Sequence, residues 1–118
     1  MPVAFDASQS LNEIQQHFNH SYPDLKLEFQ FKGDEPINYA ALMGKVFSQV
    51  QLSELLPHAK GVNLELEDYM TIEEVEEMFG RHFGIMVRIF LRKGGYWLKN
   101  NLMGSLRSEE HTSELQSH

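Results

Sequence analysis

One pattern occurs twice in this chain and limits what the chain can fold into. The segment "SLNEIQQHFNHSYPDLKLEFQFKG", from Ser10, matches "TIEEVEEMFGRHFGIMVRIFLRKG", from Thr71, at an offset of 61 positions. In both segments apolar residues recur at spacings of 3, 4 and 4, which places them on one face of a helix. The repeat therefore predicts two amphipathic helices of the same design.

Both predicted helices have clear starts and ends. Each start is a capping box, S/T-x-x-E, in which two unsatisfied backbone donors are satisfied reciprocally. The boxes are Ser10 with Glu13 and Thr71 with Glu74. Pro23 ends the first helix because proline has no amide hydrogen and disfavours helical geometry in the residue before it. Gly84 ends the second helix by adopting a left-handed cap.

Alternating apolar residues predict a strand on each side of both helices, because a period of two gives a strand one buried face. After the helices these residues are Leu25, Leu27, Phe29 and Phe31 in the first copy and Ile85, Val87, Ile89 and Leu91 in the second. Before the helices, Val3 and Phe5 match Leu64 and Leu66 at the same offset of 61. Each copy is therefore predicted to be strand, helix, strand, over residues 3–33 and 62–94.

The segments outside the two copies carry weaker signals. Gly94-Gly95 is typical of a two-residue turn, so "YWLKN" is predicted to be a fifth strand in a C-terminal hairpin. Between the copies, "INYAALMGKVFSQ" fits a helix with an apolar stripe from Leu42 to Val50, and residues 46–52 also alternate as a strand would. Both alternatives stay open. "QLSELLPHAKG" indicates one helical turn that is broken by Pro57.

Together these elements predict an α+β fold. Two duplicated strand-helix-strand units favour an antiparallel sheet with both helices on one face, as in the ferredoxin-like fold, followed by the hairpin strand. A chain of 118 residues has room for one domain with a single core, which we place at residues 1–106.

The second copy also carries a resemblance. "FGIMVRIFLRKGGYWL", preceded by "MTIEEVEEMF" and far upstream by "YPDLKLEF", resembles a motif in a group of small uncharacterised bacterial proteins. That motif is F-G-L-x-V-Q-V-F-R-x-S-G-N-x-W-L after a T-x-x-E-L-x-x-x-F helix. The motif is structural, so the resemblance implies a shared fold and no particular activity. Gly94-Gly95 stands where the group has a Ser-Gly-Asn turn.

The last segment, "RSEEHTSELQSH", covers residues 107–118. It resembles the in-frame translation of a common short-read sequencing adapter. We therefore expect an artefactual, unstructured tail, which is excluded from the fold argument as a tag would be. The Glu109-Glu110-His111 cluster then has no chemical role.

Composition excludes several classes of function. The chain has no cysteine, which removes disulfides, thiol nucleophiles and cysteine-ligated metals. Its glycines match neither a P-loop nor a dinucleotide fingerprint, and no serine lies in a nucleophile elbow. We therefore expect no enzyme and no cofactor. Without a secretory signal or a long apolar segment, the chain is expected to be soluble and cytoplasmic.

One group of residues has the spacing of metal ligands. Glu13, His17 and His20 fall at i, i+4 and i+7 of the first helix, where they could converge on a divalent cation. However, His17 matches Met78 in the other copy, and a metal site needs fixed ligands with supporting partners. We therefore interpret the group as a solvated helix flank and expect no metal site.

Charge segregation is the strongest indication of function. Residues 61–77 contain seven acidic and no basic residues, whereas residues 78–106 contain five basic and no acidic residues. The basic segment is interleaved with aromatic residues, which predicts a binding surface. Its candidate residues are Arg88, Phe90, Arg92, Lys93, Tyr96, Trp97 and Lys99.

The preferred hypothesis is a small interaction domain that binds an unknown protein partner or forms a homo-oligomer. The alternative is anion or nucleic-acid binding through the basic aromatic hairpin. A net charge of −7 and the acidic residues of the neighbouring strands oppose the phosphate attraction that nucleic-acid binding requires. Nucleic acid is therefore the less favoured partner.

Overall fold

The computed structural model describes residues 3–31, 35–98, 102–106 and 112–113. Within these ranges strands and α-helices alternate over the first seven elements, and three short strands follow. The elements are β1 (Val3–Asp6), α1 (Leu11–Ser21), β2 (Leu25–Gln30), α2 (Leu52–Leu55), β3 (Asn63–Leu66), α3 (Ile72–Phe83), β4 (Met86–Lys93), β5 (Tyr96–Leu98), β6 (Leu102–Met103) and β7 (Thr112–Ser113). This arrangement confirms the predicted α+β class.

Both predicted capping boxes are confirmed. At the start of α1, Glu13 N–H donates to Ser10 Oγ at 3.1 Å and Ser10 N–H donates to Glu13 Oε1 at 2.9 Å. The corresponding distances at the start of α3 are 3.1 and 3.0 Å, between Thr71 and Glu74. Gly84 ends α3 with a φ of 72°, the left-handed cap that the sequence predicts.

The helices and strands share one apolar core. The buried residues of the two long helices lie at the predicted spacings: Leu11, Ile14 and Phe18 in α1, and Ile72, Val75, Phe79 and Phe83 in α3. The Phe5 ring of β1 lies 5.8 Å from the Phe79 ring, measured between centroids. Helix α1 packs against β2, and α3 packs against β4. Burial of this apolar surface, at about 25 cal/mol per Å², is the main driving force for folding.

The ferredoxin-like arrangement is not confirmed. In that fold all four strands of the two units share one sheet, and the first strands separate the second strands. Here β1 pairs with β3 in one ladder, and β2 pairs directly with β4 in another, which β5 extends. All of these pairings are antiparallel.

The register of each ladder follows the positions that match in the sequence. In the first ladder Ala4 lies opposite Glu65, its match at offset 61. In the second, Glu28 lies opposite Arg88, its match at offset 60. On either side of each of these pairs, a residue of one strand lies opposite the residue at the same distance in the other direction along its partner strand.

The segment between the two halves is neither of the predicted alternatives. It forms short 3-10 helices at Tyr39–Leu42 and Phe47–Gln49. Gly44, with a φ of 70°, interrupts the apolar stripe, so Met43 and Val46 are exposed instead of buried. The single helical turn before Pro57 is confirmed as α2.

The C-terminal part packs back onto the core. Leu106 is buried, and its N–H donates to the Met70 carbonyl at 2.9 Å. Thr112–Ser113 pairs with Leu102–Met103, so these two residues depart from the expected unstructured tail. Antiparallel pairing satisfies backbone groups whatever the side chains are. The remaining positions of 107–118 lie outside the described residues. Among the described residues, no helix is long and apolar enough to cross a membrane.

Gly84 provides a test of the α3 end. A Cβ added there would lie 2.5 Å from His58 Nε2, which contacts the Phe83 carbonyl oxygen at 3.0 Å. We expect G84A to lower the free energy of unfolding by about 1–2 kcal/mol from the positive φ alone. Displacement of His58 adds to this loss. Urea unfolding measures the change.

Gly80 is the matched control because it lies inside α3, and a Cβ there would meet nothing within 4 Å. G80A should raise the free energy of unfolding by about 0.5–1 kcal/mol, since alanine is the better helix former. Equal effects of the two substitutions would contradict the described geometry.

The α3 cap also predicts a dependence on pH. The backbone and side-chain hydrogen bonds of Thr71 hold the pKa of the Glu74 carboxyl below its ordinary value of 4.5. The resulting stabilisation is complete above pH 4.5 and is lost as the pH falls through the lower pKa of the folded state. Since Gln does not titrate, we expect the urea midpoint of E74Q to fall less steeply below that pH than that of the wild type.

Glu73 supplies the control, because it lies in the same first turn and makes no capping hydrogen bond within the described part of the chain. E73Q leaves the Thr71–Glu74 capping box intact, so the acid-dependent loss that this box contributes should persist in that variant. A wild-type slope in E74Q would show that the capping carboxylate contributes nothing to this dependence.

Candidate functional site

One face of the β2–β4–β5 sheet points away from the core. Five residues at alternating positions of β2 and β4 are buried on the other face: Leu25, Leu27, Val87, Ile89 and Leu91. Because successive side chains of a strand point to opposite faces, the remaining positions form a surface that we call the outer face. It consists of Lys26, Glu28, Gln30, Met86, Arg88, Phe90, Arg92 and Trp97.

A lysine between two aromatic rings lies at one end of the outer face. Lys26 Nζ lies 5.5 Å from the Phe90 ring centroid and 4.9 Å from that of Trp97. The same ammonium group is 3.4 Å from Glu28 Oε1. Each cation–π contact at an exposed site contributes about 0.5–1 kcal/mol. Lys26 therefore connects β2 to both β4 and β5 and orders the aromatic side chains.

Arg92 is held at the same end of the sheet. Its Nη2 lies 3.4 Å from Asp24 Oδ1, and its backbone N–H donates to the Asp24 carbonyl at 2.8 Å. Both side chains are more than half exposed, so solvent screening limits the ion pair to about 0–1 kcal/mol. The contact neutralises Arg92 more than it stabilises the fold.

Arg88 differs from the other cations of the outer face. It lies opposite Glu28 in the ladder, but the Glu28 carboxylate is within 3.4 Å of Lys26 Nζ and of Gln15 Nε2. Within the described residues, Arg88 makes no ion pair. Arg88 is therefore an exposed cation next to the Glu28 carboxylate, whose described contacts are with Lys26 and Gln15.

The helices cover the edges of the strands. From α1, Gln15 Nε2 donates to the Leu27 carbonyl at 3.1 Å and Asn19 Nδ2 donates to the Leu25 carbonyl at 2.8 Å. On the other side, Ile89 N–H donates to Glu76 Oε2 of α3 at 2.9 Å. Strand addition at these positions would have to displace the side chains. The outer face is therefore more accessible than the strand edges at these positions.

The structure divides the predicted binding residues into two groups. Arg88, Phe90, Arg92 and Trp97 share the outer face. Lys93 and Tyr96 lie opposite each other and at positions of the other parity, so they belong to the other face of the β4–β5 pair. Lys99 lies outside the described residues.

Sequence reasoning did not include β2 in the binding surface. Lys26 and Glu28 lie in the first copy of the repeat, whereas the predicted binding residues lie in the second copy and in the strand after it. Their signal was the alternation in "LKLEFQ", which places both on the face opposite the leucines. The pairing with β4 brings them next to Phe90 and Arg88.

The residues with metal-ligand spacing have other contacts. Glu13 accepts the N–H of Ser10 in the capping box, and the His17 ring lies 5.0 Å from the Phe5 ring. In the part of the chain that the structure describes, no group of three or more His, Cys, Asp or Glu residues could hold a metal ion.

Comparison with known proteins adds no identification. Neither a family model, nor a curated protein, nor a solved structure matches this chain. The resemblance to the group of small bacterial proteins therefore stays a prediction.

The position of Lys26 can be tested with Trp97, which is the only tryptophan of the chain. Because Lys26 covers the indole ring, K26A should make Trp97 more accessible to acrylamide and increase the quenching of its fluorescence. Lys45 provides a control, since it pairs with Glu54 at 3.1 Å in another part of the chain. K45A should leave quenching unchanged. Unchanged quenching in K26A would show that Lys26 does not cover the ring.

Proposed function

We propose that this chain is an interaction domain that binds a protein partner through the outer face. The observation that carries the proposal is a cluster on the outer face in which a half-buried Phe90 lies beside the exposed side chains of Trp97 and Arg88, on a sheet whose other face is the core. Aromatic residues and arginine are enriched at protein interfaces and supply much of their binding energy. The sheet holds these side chains in place before binding, which lowers the entropic cost of association.

Charge pairing favours a protein over a nucleic acid. Phosphate binding depends on cations that are free to replace counterions. Two of the cations on the outer face already contact carboxylates, Lys26 with Glu28 and Arg92 with Asp24. RNA-recognition sheets place stacking aromatics at their centre. At the centre of this sheet, Glu28 and Arg88 lie opposite each other on neighbouring strands. A mixed surface of this kind suits a partner that carries both charges.

We also propose that the two halves of the domain are copies of one strand-helix-strand unit. The capping boxes, the helical spacings and the symmetric registers of both ladders support this duplication. In this view the two central positions of the outer face are equivalent, yet one carries Glu28 and the other Arg88. The copies would then have acquired opposite charges at one structural position.

Site-specific photo-crosslinking tests the proposed function. A benzoylphenylalanine in place of Phe90 keeps the phenyl ring and extends it at the para position with the reactive benzophenone carbonyl, which puts that group on the outer face. The matched control carries it in place of Tyr69, an exposed aromatic residue outside this sheet. We expect the Phe90 variant to form adducts with a polypeptide, identified by mass spectrometry, and the R88E substitution to suppress them. Equal labelling at both positions, or none at Phe90, would contradict the proposal.

A fluorescence titration tests the alternative. Trp97 lies on the outer face, so a single-stranded oligonucleotide that binds there would change its emission. We expect no change at any salt concentration. Binding that weakens with salt and is lost in R88E/R92E would replace the proposed function with nucleic-acid binding.

A further inference from the structure

We propose that the partner is a second copy of this chain, packed face to face about a two-fold axis that runs along the strands. Glu28 of each copy then lies over Arg88 of the other. This inference rests on the proposed function, because it names the partner of the same outer face.

The central charges select this geometry. Glu28 and Arg88 lie side by side in the β2–β4 ladder, so the middle of the outer face carries one anion and one cation. A two-fold axis along the strands places β2 over β4 of the second copy, and opposite charges meet twice. A two-fold axis across the strands would place Glu28 over Glu28 and Arg88 over Arg88. Since like charges oppose association, the first axis is favoured.

The flanking positions are complementary under the same axis. Lys26 lies opposite Phe90 in the ladder, so each lysine would lie over the phenylalanine of the second copy. Beyond Lys26 and Phe90 along the strands, Arg92 contacts Asp24 within the chain. The axis places Arg92 of each copy over Asp24 of the other. No two like charges meet along the paired strands.

At the other end of the ladder the complementarity is between uncharged side chains. Gln30 lies opposite Met86, and the axis brings these two together from different copies. Because the contact is isologous, every favourable pair occurs twice, and the assembly closes as a dimer without a free complementary surface.

The size of the outer face predicts a weak dimer. The two strands that pair across the axis, β2 with six residues and β4 with eight, are spaced by about 4.8 Å and rise about 3.3 Å per residue, so they give a contact of roughly 200 Å² per copy. Standard specific interfaces bury about 800 Å² per partner, so this contact belongs to the transient class. We therefore expect weak dimerisation, which requires measurements on the full chain at high concentration.

Charge reversal tests the proposal by sedimentation equilibrium. E28R puts only arginines at the centre of the interface, and R88E puts only glutamates there. Each variant alone should dimerise at least about tenfold more weakly than the wild type, since both attractive pairs become repulsive. An equimolar mixture of the two should associate again, because the two arginines of one chain would then meet the two glutamates of the other. Loss in the single variants with recovery in the mixture is the expected result.

Two controls keep the result interpretable. Each reversal also creates a like-charge pair within the chain, which costs about 0.2–1 kcal/mol, so circular dichroism and urea unfolding must show that both variants fold. The double variant E28R/R88E restores opposite charges in both places and should dimerise like the wild type. A dimer that persists in both single variants would overturn the proposal.

Cysteine crosslinking tests the direction of the axis. The chain holds no cysteine, so introduced cysteines are the only thiols that a crosslinker can join. A short bismaleimide should join Q30C chains to M86C chains more efficiently than either variant to itself. Preferential joining of like variants would overturn the geometry. A wild-type chain that stays monomeric at millimolar concentration, while its Phe90 variant labels a different polypeptide, would overturn this inference and leave the proposed function standing. If the wild-type chain stays monomeric and the Phe90 variant labels no polypeptide, this inference and the proposed function are both overturned.

Discussion

The antiparallel pairing of β2 with β4 determines both the core and the surface of this domain. Its register places Leu27 opposite Ile89 on the buried side and Glu28 opposite Arg88 on the exposed side. Because side chains alternate along a strand, a slip of one residue would bring the charged positions into the core. The burial of the apolar positions therefore fixes the arrangement of charges and aromatics on the outer face.

The rest of the structure leaves the outer face as the most accessible part of the sheet. The two long helices cover the opposite face, and their side chains, from Gln15 and Glu76, bond to the edges of β2 and β4. On the exposed side, Lys26 orders Phe90 and Trp97. The proposed association with a protein rests on the mixed charges of this surface, and the acidic balance of the chain opposes attraction to phosphates.

Local signals in the sequence predicted the elements, and long-range pairing decided how they combine. The capping boxes at Ser10 and Thr71 and the left-handed cap at Gly84 depend on a few neighbouring residues, so they could be read directly. The direct pairing of the two second strands depends on contacts across the chain, which alternation does not specify. For the same reason only part of the binding surface was predicted, because Lys26 comes next to Phe90 and Trp97 only through the pairing of the strands.

The most direct measurement is a dilution series of amide NMR spectra of the wild-type chain. If the outer face associates as described, shifts that depend on concentration will appear along β2 and β4, which lie over each other in the dimer, while amides of the β1–β3 ladder stay fixed. Spectra that do not change up to millimolar concentration, or shifts confined to α3 and the β1–β3 ladder, would contradict association through this surface.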